Sequence, residues 1–283
     1  MRQISSLSSL RRHLEAFRTK KESIGFVPTM GALHDGHLSL IQYSRRENQR
    51  TVLSIYVNPI QFDAKKEDFS SYPRPKKKDI LLAKKGNVDI IFLPTDRVMY
   101  PKGFSSFIAT TGLTETLCGK SRPGHFRGVT TVVGKLLNMV QPTRIYLGQK
   151  DAQQAVVINR MIEDLNFPVK AVICPTVREA DGLAMSSRNA YLSPQQRREA
   201  PFLYKSLTDA RRRIHAGERR SAVIKRSIRG SITAHTGGVI DYVECVDLKS
   251  LQPVKYLSGK VLIAIAVKFA KARLIDNVIV QLR

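Results

Sequence analysis

Tryptophan is absent from this 283-residue chain, cysteine is limited to three residues, and acidic side chains number 23 against 47 lysines and arginines. Cys118, Cys174 and Cys245 lie far apart, are odd in number and never form a C-x-x-C pair. This excludes a disulfide framework and a structural zinc knuckle, and the three are expected as small core residues. No run of eighteen apolar residues exists, and Arg2, Arg11 and Arg12 near the start are followed by no apolar stretch. Neither a membrane span nor a secretory signal is expected, and a cytosolic location follows from that. Internal repeats and low-complexity linkers are also missing.

The scarcity of acidic residues leaves a formal charge of +24. Alone, such an excess would suggest nucleic acid or another polyanion as a partner. The basic residues are spread along most of the chain, however. They are richest between 205 and 229, where Arg211, Arg212, Arg213, Arg219, Arg220, Lys225, Arg226 and Arg229 punctuate a helical pattern. A charge run of this kind ordinarily faces water. Few aromatic residues interleave with it, so it offers no stacking platform for single strands. A nucleic-acid-binding protein therefore stands as an alternative reading and not as the expectation.

Apolar content of 42% over this length supports a substantial core and one large or two smaller domains. Apolar, β-branched runs at 24–28, 51–57, 88–93, 144–147 and 169–173 predict strands. Between them lie helical patterns. From Val129, the residues Val132, Val133, Leu136, Leu137 and Val140 repeat at helical spacing and stop before Pro142; a second helix is expected from about Asp151 to Leu165. Alternating strands and helices predict an α/β fold: a Rossmann-like, doubly wound parallel sheet over residues 1–175, with ligands at the carboxyl ends of its strands. A smaller C-terminal α+β domain is expected over 176–283. It comprises a polar loop at 176–193, charged helices to about 234, and strands at 242–246 and 261–268.

Several segments carry chemistry. Residues 26–37 read FVPTMGALHDGH. Gly31 and Gly36 allow close backbone approach, and a helix starting near His37 would offer free N–H groups and a positive dipole to phosphate. His34 and His37 would both point into that mouth. A metal site is disfavoured because no third ligand lies nearby. Gly119, Lys120 and Ser121 imitate the end of a P-loop, but Thr114 stands where the first glycine would be needed.

Asn58, Pro59 and Gln61 follow the strand predicted at 51–57. Gln61 is placed there for substrate hydroxyls or a carboxylate, or else as a turn-capping amide. Arg122, His125 and Arg127 open the long helix and suit an anion. Gly148, Gln149, Lys150 and Asp151 mark another strand-to-helix junction. Lys150 would serve phosphate, Asp151 would serve Mg²⁺ or cap the helix, and Gln154 would face the same crevice. Met185, Ser186, Ser187 and Arg188 put two hydroxyls and a guanidinium in a loop able to close over a triphosphate.

Taken together, these segments resemble the pantothenate synthetases, also called pantoate–β-alanine ligases. The resemblance rests on PTMGALHDGH (28–37), SIYVNPIQF (54–62), YPR (72–74), MYPKGF (99–104), RPGHFRGVTTVV (122–133), GQKDAQQ (148–154), DGLAMSSRNAYLS (181–193) and RLIDN (273–277), nearly the whole chain. The first segment also resembles the H-x-G-H signature of the wider nucleotidyltransferase superfamily. A superfamily adenylyltransferase that stops at a nucleotide-linked product is the nearer alternative.

The resemblance implies an ATP- and Mg²⁺-dependent ligation of pantoate to β-alanine through a pantoyl adenylate, by a homodimeric enzyme. It implies catalytic roles for His37, as proton donor, and for His34, Lys150 and Arg188. It lays Met30, Gly31, Ala32, Leu33, His34, Asp35, Gly36 and His37 along ATP. Gly148, Gln149, Lys150, Asp151, Val177, Met185, Ser186, Ser187 and Arg188 complete that site. Gln61 and Gln154 would hold pantoate, with Gln61 also near β-alanine, and Asp151 is the candidate Mg²⁺ ligand. One departure is Ala270, where the family leads us to expect glycine before RLIDN.

Overall fold

The hydrophobic runs of the first 175 residues become strands of one parallel sheet. The computed structural model describes residues 1–62, 69–70 and 72–282, in two compact units. The first holds Met1–Thr110, Arg122–Gln149 and Val157–Pro175; the second holds Thr111–Ser121, Lys150–Val156 and the chain from Thr176 onward.

In chain order the first unit contains β1 (Arg2–Ile4), α1 (Leu7–Thr19), β2 (Ile24–Thr29), α2 (Asp35–Glu47), β3 (Arg50–Ile55), α3 (Lys76–Lys85), β4 (Ile90–Phe92) and α4 (Asp96–Met99). After α5 (Leu117–Ser121), which belongs to the second unit, come α6 (His125–Val140), β5 (Arg144–Gly148), α7 (Ala152–Asp164) and β6 (Lys170–Cys174). The sheet order is β1-β4-β3-β2-β5-β6, and every pairing is parallel.

Each of the five strands expected from the sequence is present within a residue or two. The exception in the sheet is β1, three residues long, whose pairing of Arg2 with Ile90 and Ile4 with Phe92 is too short to show a pattern. Successive strand residues point to opposite faces, and Phe26 and Val27 are both fully buried. Both faces are therefore covered, as continuous apolar strands require. On one face Val27, Leu53, Ile91 and Tyr146 pack with Leu38 and Ile41 of α2 and Ala83 of α3. On the other, α6 packs on β2 and α1.

The second unit contains α8 (Pro194–Glu199), α9 (Phe202–His215), α10 (Ser221–His235), β7 (Val239–Asp247), β8 (Lys260–Phe269) and β9 (Ala272–Gln281). The strands form an antiparallel sheet in the order β7-β8-β9. Leu207, Ile214, Ile224, Ile228 and Ile232 fill a core with Val243, Ile263, Ile265 and Val280. The arginines of α9 and α10 are on the opposite side: Arg211, Arg212, Arg213, Arg226 and Arg229 are exposed. Lys225 pairs with Glu244 at 3.0 Å.

Segments 111–121 and 150–156 join this unit through Ser121, whose hydroxyl donates to Asp241 (2.9 Å), and through the Lys150 carbonyl, which accepts from Asn277 (3.0 Å). The Gln153 side chain accepts from the Cys118 N–H and donates to the carbonyls of Leu113 and Thr116. All three cysteines are free and buried.

Strand β9 is absent from the sequence-based expectation because Arg273, Asp276 and Asn277 interrupt its apolar pattern. Asp276 and Asn277 are nevertheless buried, at 4% and 3% exposure. The Asp276 carboxylate accepts two bonds from the Arg178 guanidinium, at 2.7 and 3.0 Å.

Ala270 begins the two-residue connection between β8 and β9, where Phe269 pairs with Ala272, and its φ is +42°. In the left-handed region a Cβ collides with the following carbonyl, which explains why glycine is expected there. Replacing Ala270 with Gly should raise the unfolding free energy by about 1 kcal/mol. Chemical denaturation would report this as a higher midpoint with an unchanged slope; an unchanged or lower midpoint would contradict the strained turn.

Candidate active site

The chain runs outward from β2 through β3 to β4 on one side, then returns to β5 and β6 on the other. The strand order thus reverses between β2 and β5, and a parallel sheet leaves a crevice beyond the carboxyl ends at such a reversal. The segment after Thr29 and the pair Gly148–Gln149 after β5 emerge there.

Residues 30–34 form a tight turn with Gly31 at φ +83° and Ala32 at φ +49°. The turn is clamped by Asp79 of α3, which is 1% exposed. Its carboxylate accepts from the N–H groups of Ala32 (3.0 Å) and Leu33 (2.8 Å). A side chain at position 31 would meet this carboxylate at 2.9 Å.

Helix α2 starts at Asp35, two residues before the position expected from sequence, because His34 acts as its cap. Imidazole is not a customary capping group, so nothing in the sequence signalled it. Nδ1 of His34 accepts from the Gly36 N–H (3.1 Å), and Nδ1 of His37 accepts from the His34 N–H (3.3 Å). The ring centroids are 4.2 Å apart. A ring nitrogen that accepts from a backbone N–H carries no proton, so each neutral ring bears its hydrogen on Nε2. Both histidines are therefore held as Nε2–H donors at the N-terminus of a 13-residue helix. Leu33, in contrast, sends its side chain into the core, 4% exposed, so any ligand contact it makes is through its backbone.

Gln61 ends a 3-10 turn, Pro59–Gln61, just beyond β3 and is 8% exposed. Helix α6 lies directly against this turn. A Cβ on Gly128 would stand 2.6 Å from Gln61 Cα, so only glycine permits the approach. The Gln61 carbonyl accepts from His125 Nδ1 (2.9 Å), which places the ring hydrogen on Nδ1. His125 Nε2 then accepts from Arg122 at 2.9 Å. Arg127 lies over the Phe107 ring, 4.5 Å from its centroid. Of the anion group expected at 122–127, His125 thus supports Gln61 and Arg127 stacks on an aromatic ring. The helix itself begins at His125, four residues before its apolar repeat.

In the second unit, Lys150 Nζ lies 3.7 Å from the half-exposed carboxylate of Asp151. Asp151 ends a short 3-10 turn, Gln149–Asp151, before α7. The Lys150 carbonyl accepts from Asn277 Nδ2 (3.0 Å), so the RLIDN segment holds this backbone. The adjacent glutamines diverge: Gln153 is buried in its structural bonds, whereas Gln154 is only partly buried.

The Met185 N–H donates to the Val177 carbonyl (3.0 Å), closing the loop between them. Arg178 carries that loop onto Asp276 while stacking 3.4 Å over the Tyr204 ring. Ser186 then caps the 3-10 turn Ser187–Tyr191 by accepting from the Arg188 N–H. Three groups that support these segments carry no local signal in the sequence: Asp79, Asp276 with Arg178, and Asn277. Each is a polar residue whose partner lies far along the chain.

Comparison with known proteins identifies the family. The sequence profile of a family described as pantoate-beta-alanine ligase matches residues 2–279. The pantothenate synthetase of Acetivibrio thermocellus is 51% identical over 281 residues, covering 99% of this chain and 100% of the relative. That of Heliobacterium modesticaldum is 53% identical over 281 residues, covering 99% and 100%. Among solved structures, pantothenate synthetase from Thermus thermophilus superposes with a TM-score of 0.93 at 43% identity, covering 98% of this chain and 99% of the other. A pantoate-beta-alanine ligase from Francisella tularensis, complexed with beta-gamma ATP and beta-alanine, superposes with a TM-score of 0.79 at 33% identity, covering 98% and 97%.

Removing the Asp79 carboxylate would leave the buried N–H of Leu33 and the partly buried N–H of Ala32 unpaired. Asp79→Ala is expected to lower stability by about 2 kcal/mol, the usual scale for stranded buried donors. The amides of Ala32 and Leu33 should lose their protection from hydrogen exchange. Retained protection at both would show that another group holds the turn.

Proposed function

The chain belongs to the pantoate-beta-alanine ligase family, and on that premise we propose how its residues share out an ATP-driven amide synthesis. The enzyme condenses pantoate with β-alanine through a pantoyl adenylate and releases AMP and diphosphate. In the first step a pantoate carboxylate oxygen bonds to the α-phosphorus of ATP as the bond to diphosphate breaks. In the second, the β-alanine amine attacks the acyl carbon, loses a proton and displaces AMP.

The observation that carries the assignment is the pair of Nε2–H donors of His34 and His37 at the start of α2. The first step loads negative charge onto phosphate oxygens, which donors fixed in advance stabilise without reorganising. His37 serves as the proton donor and His34 as its partner. Met30, Gly31, Ala32, Leu33, Asp35 and Gly36 lie along ATP, and Leu33, whose side chain is turned inward, takes part only through its backbone.

Lys150 and Arg188 supply cations to the phosphates, with the hydroxyls of Ser186 and Ser187. Gly148, Gln149 and Met185 complete the nucleotide contacts, and Val177 meets adenine through its backbone. Gln61 and Gln154 hold pantoate, Gln61 also nearing β-alanine.

Mg²⁺ enters as part of the nucleotide substrate. No group of three or more acidic, histidine or cysteine side chains suited to a metal occurs among the described residues. The carboxylate of Asp151 would meet the ion carried in by the phosphates. The positive charge of the chain favours the approach of its anionic substrates. No described helix is long and apolar enough to cross a membrane. A cytosolic homodimer, with small molecules and not nucleic acid as partners, completes the proposal.

Pantoate labelled with ¹⁸O in its carboxylate, incubated with β-alanine and ATP, should transfer one labelled oxygen to AMP. Unlabelled AMP, or ADP as product, would refute adenylation. His37→Ala and Lys150→Ala should each slow adenylate formation by about 100-fold or more, the scale for losing one transition-state donor. Near-normal single-turnover rates in both would overturn the role assignment.

A further inference from the structure

The amide of Gln61 is held in one orientation by a chain of bonds that starts at a backbone carbonyl. Asn58 is 1% exposed, and its Nδ2 donates to the Gly128 carbonyl oxygen at 3.0 Å. A carbonyl only accepts, so this end of the Asn58 amide is the NH₂ and the other end is the oxygen. Asn58 Oδ1 accepts from the Tyr100 hydroxyl at 2.7 Å. The second hydrogen of Nδ2 reaches Gln61 Oε1 at 3.1 Å. With its oxygen engaged, Gln61 turns Nε2 the other way, where the nearest protein acceptor is the Met30 thioether sulfur at 3.1 Å. Sulfur of this kind is a weak acceptor. Gln61 Oε1 thus spends a lone pair on Asn58 while Nε2 meets this weak acceptor, so the N–H side is the one Gln61 turns to an incoming ligand.

We infer that Tyr100 is a positioning residue for the pantoate site, orienting Gln61 through Asn58 so that Gln61 meets the substrate only as a hydrogen-bond donor. The inference rests on the assignment of Gln61 to pantoate. The relay runs in a single direction: reversing Asn58 would set its oxygen against the Gly128 carbonyl and leave the Tyr100 hydroxyl facing an NH₂ group. Tyr100 keeps its proton under ordinary conditions, because burial, and after it the Asp96 carboxylate, pushes its hydroxyl above the usual tyrosine range. Its ring is seated against Phe104, with centroids 5.0 Å apart. The substrate groups that suit this site are lone-pair acceptors, the carboxylate or a hydroxyl oxygen of a hydroxy acid. An analogue presenting an ammonium group in that place is rejected.

The test is a double-mutant cycle on the full-length enzyme with steady-state kinetics. Tyr100→Phe removes one hydroxyl and is expected to raise KM for pantoate about tenfold, the effect of one lost hydrogen bond to a polar chain. KM for ATP should stay unchanged, and kcat should change less than twofold. Gln61→Ala should raise KM for pantoate at least as much, and adding Tyr100→Phe to it should have little further effect. If Gln61→Ala leaves KM for pantoate unchanged, the assignment of Gln61 itself fails. If Gln61→Ala raises it while Tyr100→Phe does not, or the two effects add in full, the relay alone fails. A parallel rise in KM for ATP with a lowered thermal midpoint would mark Tyr100 as merely structural and overturn the inference. Should Tyr100→Phe not fold, Asn58→Asp carries the same test, since a carboxylate can donate neither to Gly128 nor to Gln61, and an unchanged KM for pantoate would refute the relay.

Discussion

A single buried carboxylate conditions the first unit. Asp79 takes the N–H groups of Ala32 and Leu33, and so holds a turn in which two successive residues have positive φ. A left-handed alanine is disfavoured unless its surroundings impose it. With the turn held, His34 arrives where its ring can cap α2, and His37 arrives where its ring can accept from the His34 N–H. The tautomer of both rings follows from that geometry. The chemistry proposed for these histidines is in this sense a consequence of an aspartate 42 residues beyond His37 in the chain.

The second unit repeats the device with β9. Asp276 binds Arg178 and thereby the loop that begins at Val177, while the neighbouring Asn277 holds the carbonyl of Lys150. Two adjacent polar residues on one strand anchor two separate segments assigned to the nucleotide. Truncating one partner of such a buried ion pair costs about 3–5 kcal/mol, because the other charge is left uncompensated. This accounts for acidic and amide side chains inside a strand that would otherwise be apolar.

Legibility in the sequence followed the range of the interactions. Strands β2 to β6 were readable because burial on both faces demands unbroken apolar runs, and α6 because its repeat is strong. Strand β1 was too short to read, and β9 was hidden by Arg273, Asp276 and Asn277, whose partners are Asp241, Arg178 and the Lys150 carbonyl. The start of α2 was misplaced because a histidine does the work ordinarily done by serine or aspartate. His125 and Arg127 read as anion ligands by type, yet one supports the Gln61 carbonyl and the other covers Phe107. Residue type near a helix start could not separate these uses.

By itself the sequence determined the alternation of strands and helices, the positions of the chemical segments and, through their order and spacing, the family. Those properties depend on neighbours in the chain and on patterns a few residues long. Only the tertiary structure decided the hydrogen-bonding state of the candidate residues: which nitrogen of His34 and His37 bears the hydrogen, which end of the Gln61 amide faces outward, and which of Gln153 and Gln154 is structural. The physical reason is that a side chain's donor or acceptor role is set by the group across from it. For these residues that group is most often a backbone atom, whose position exists only once distant segments have packed.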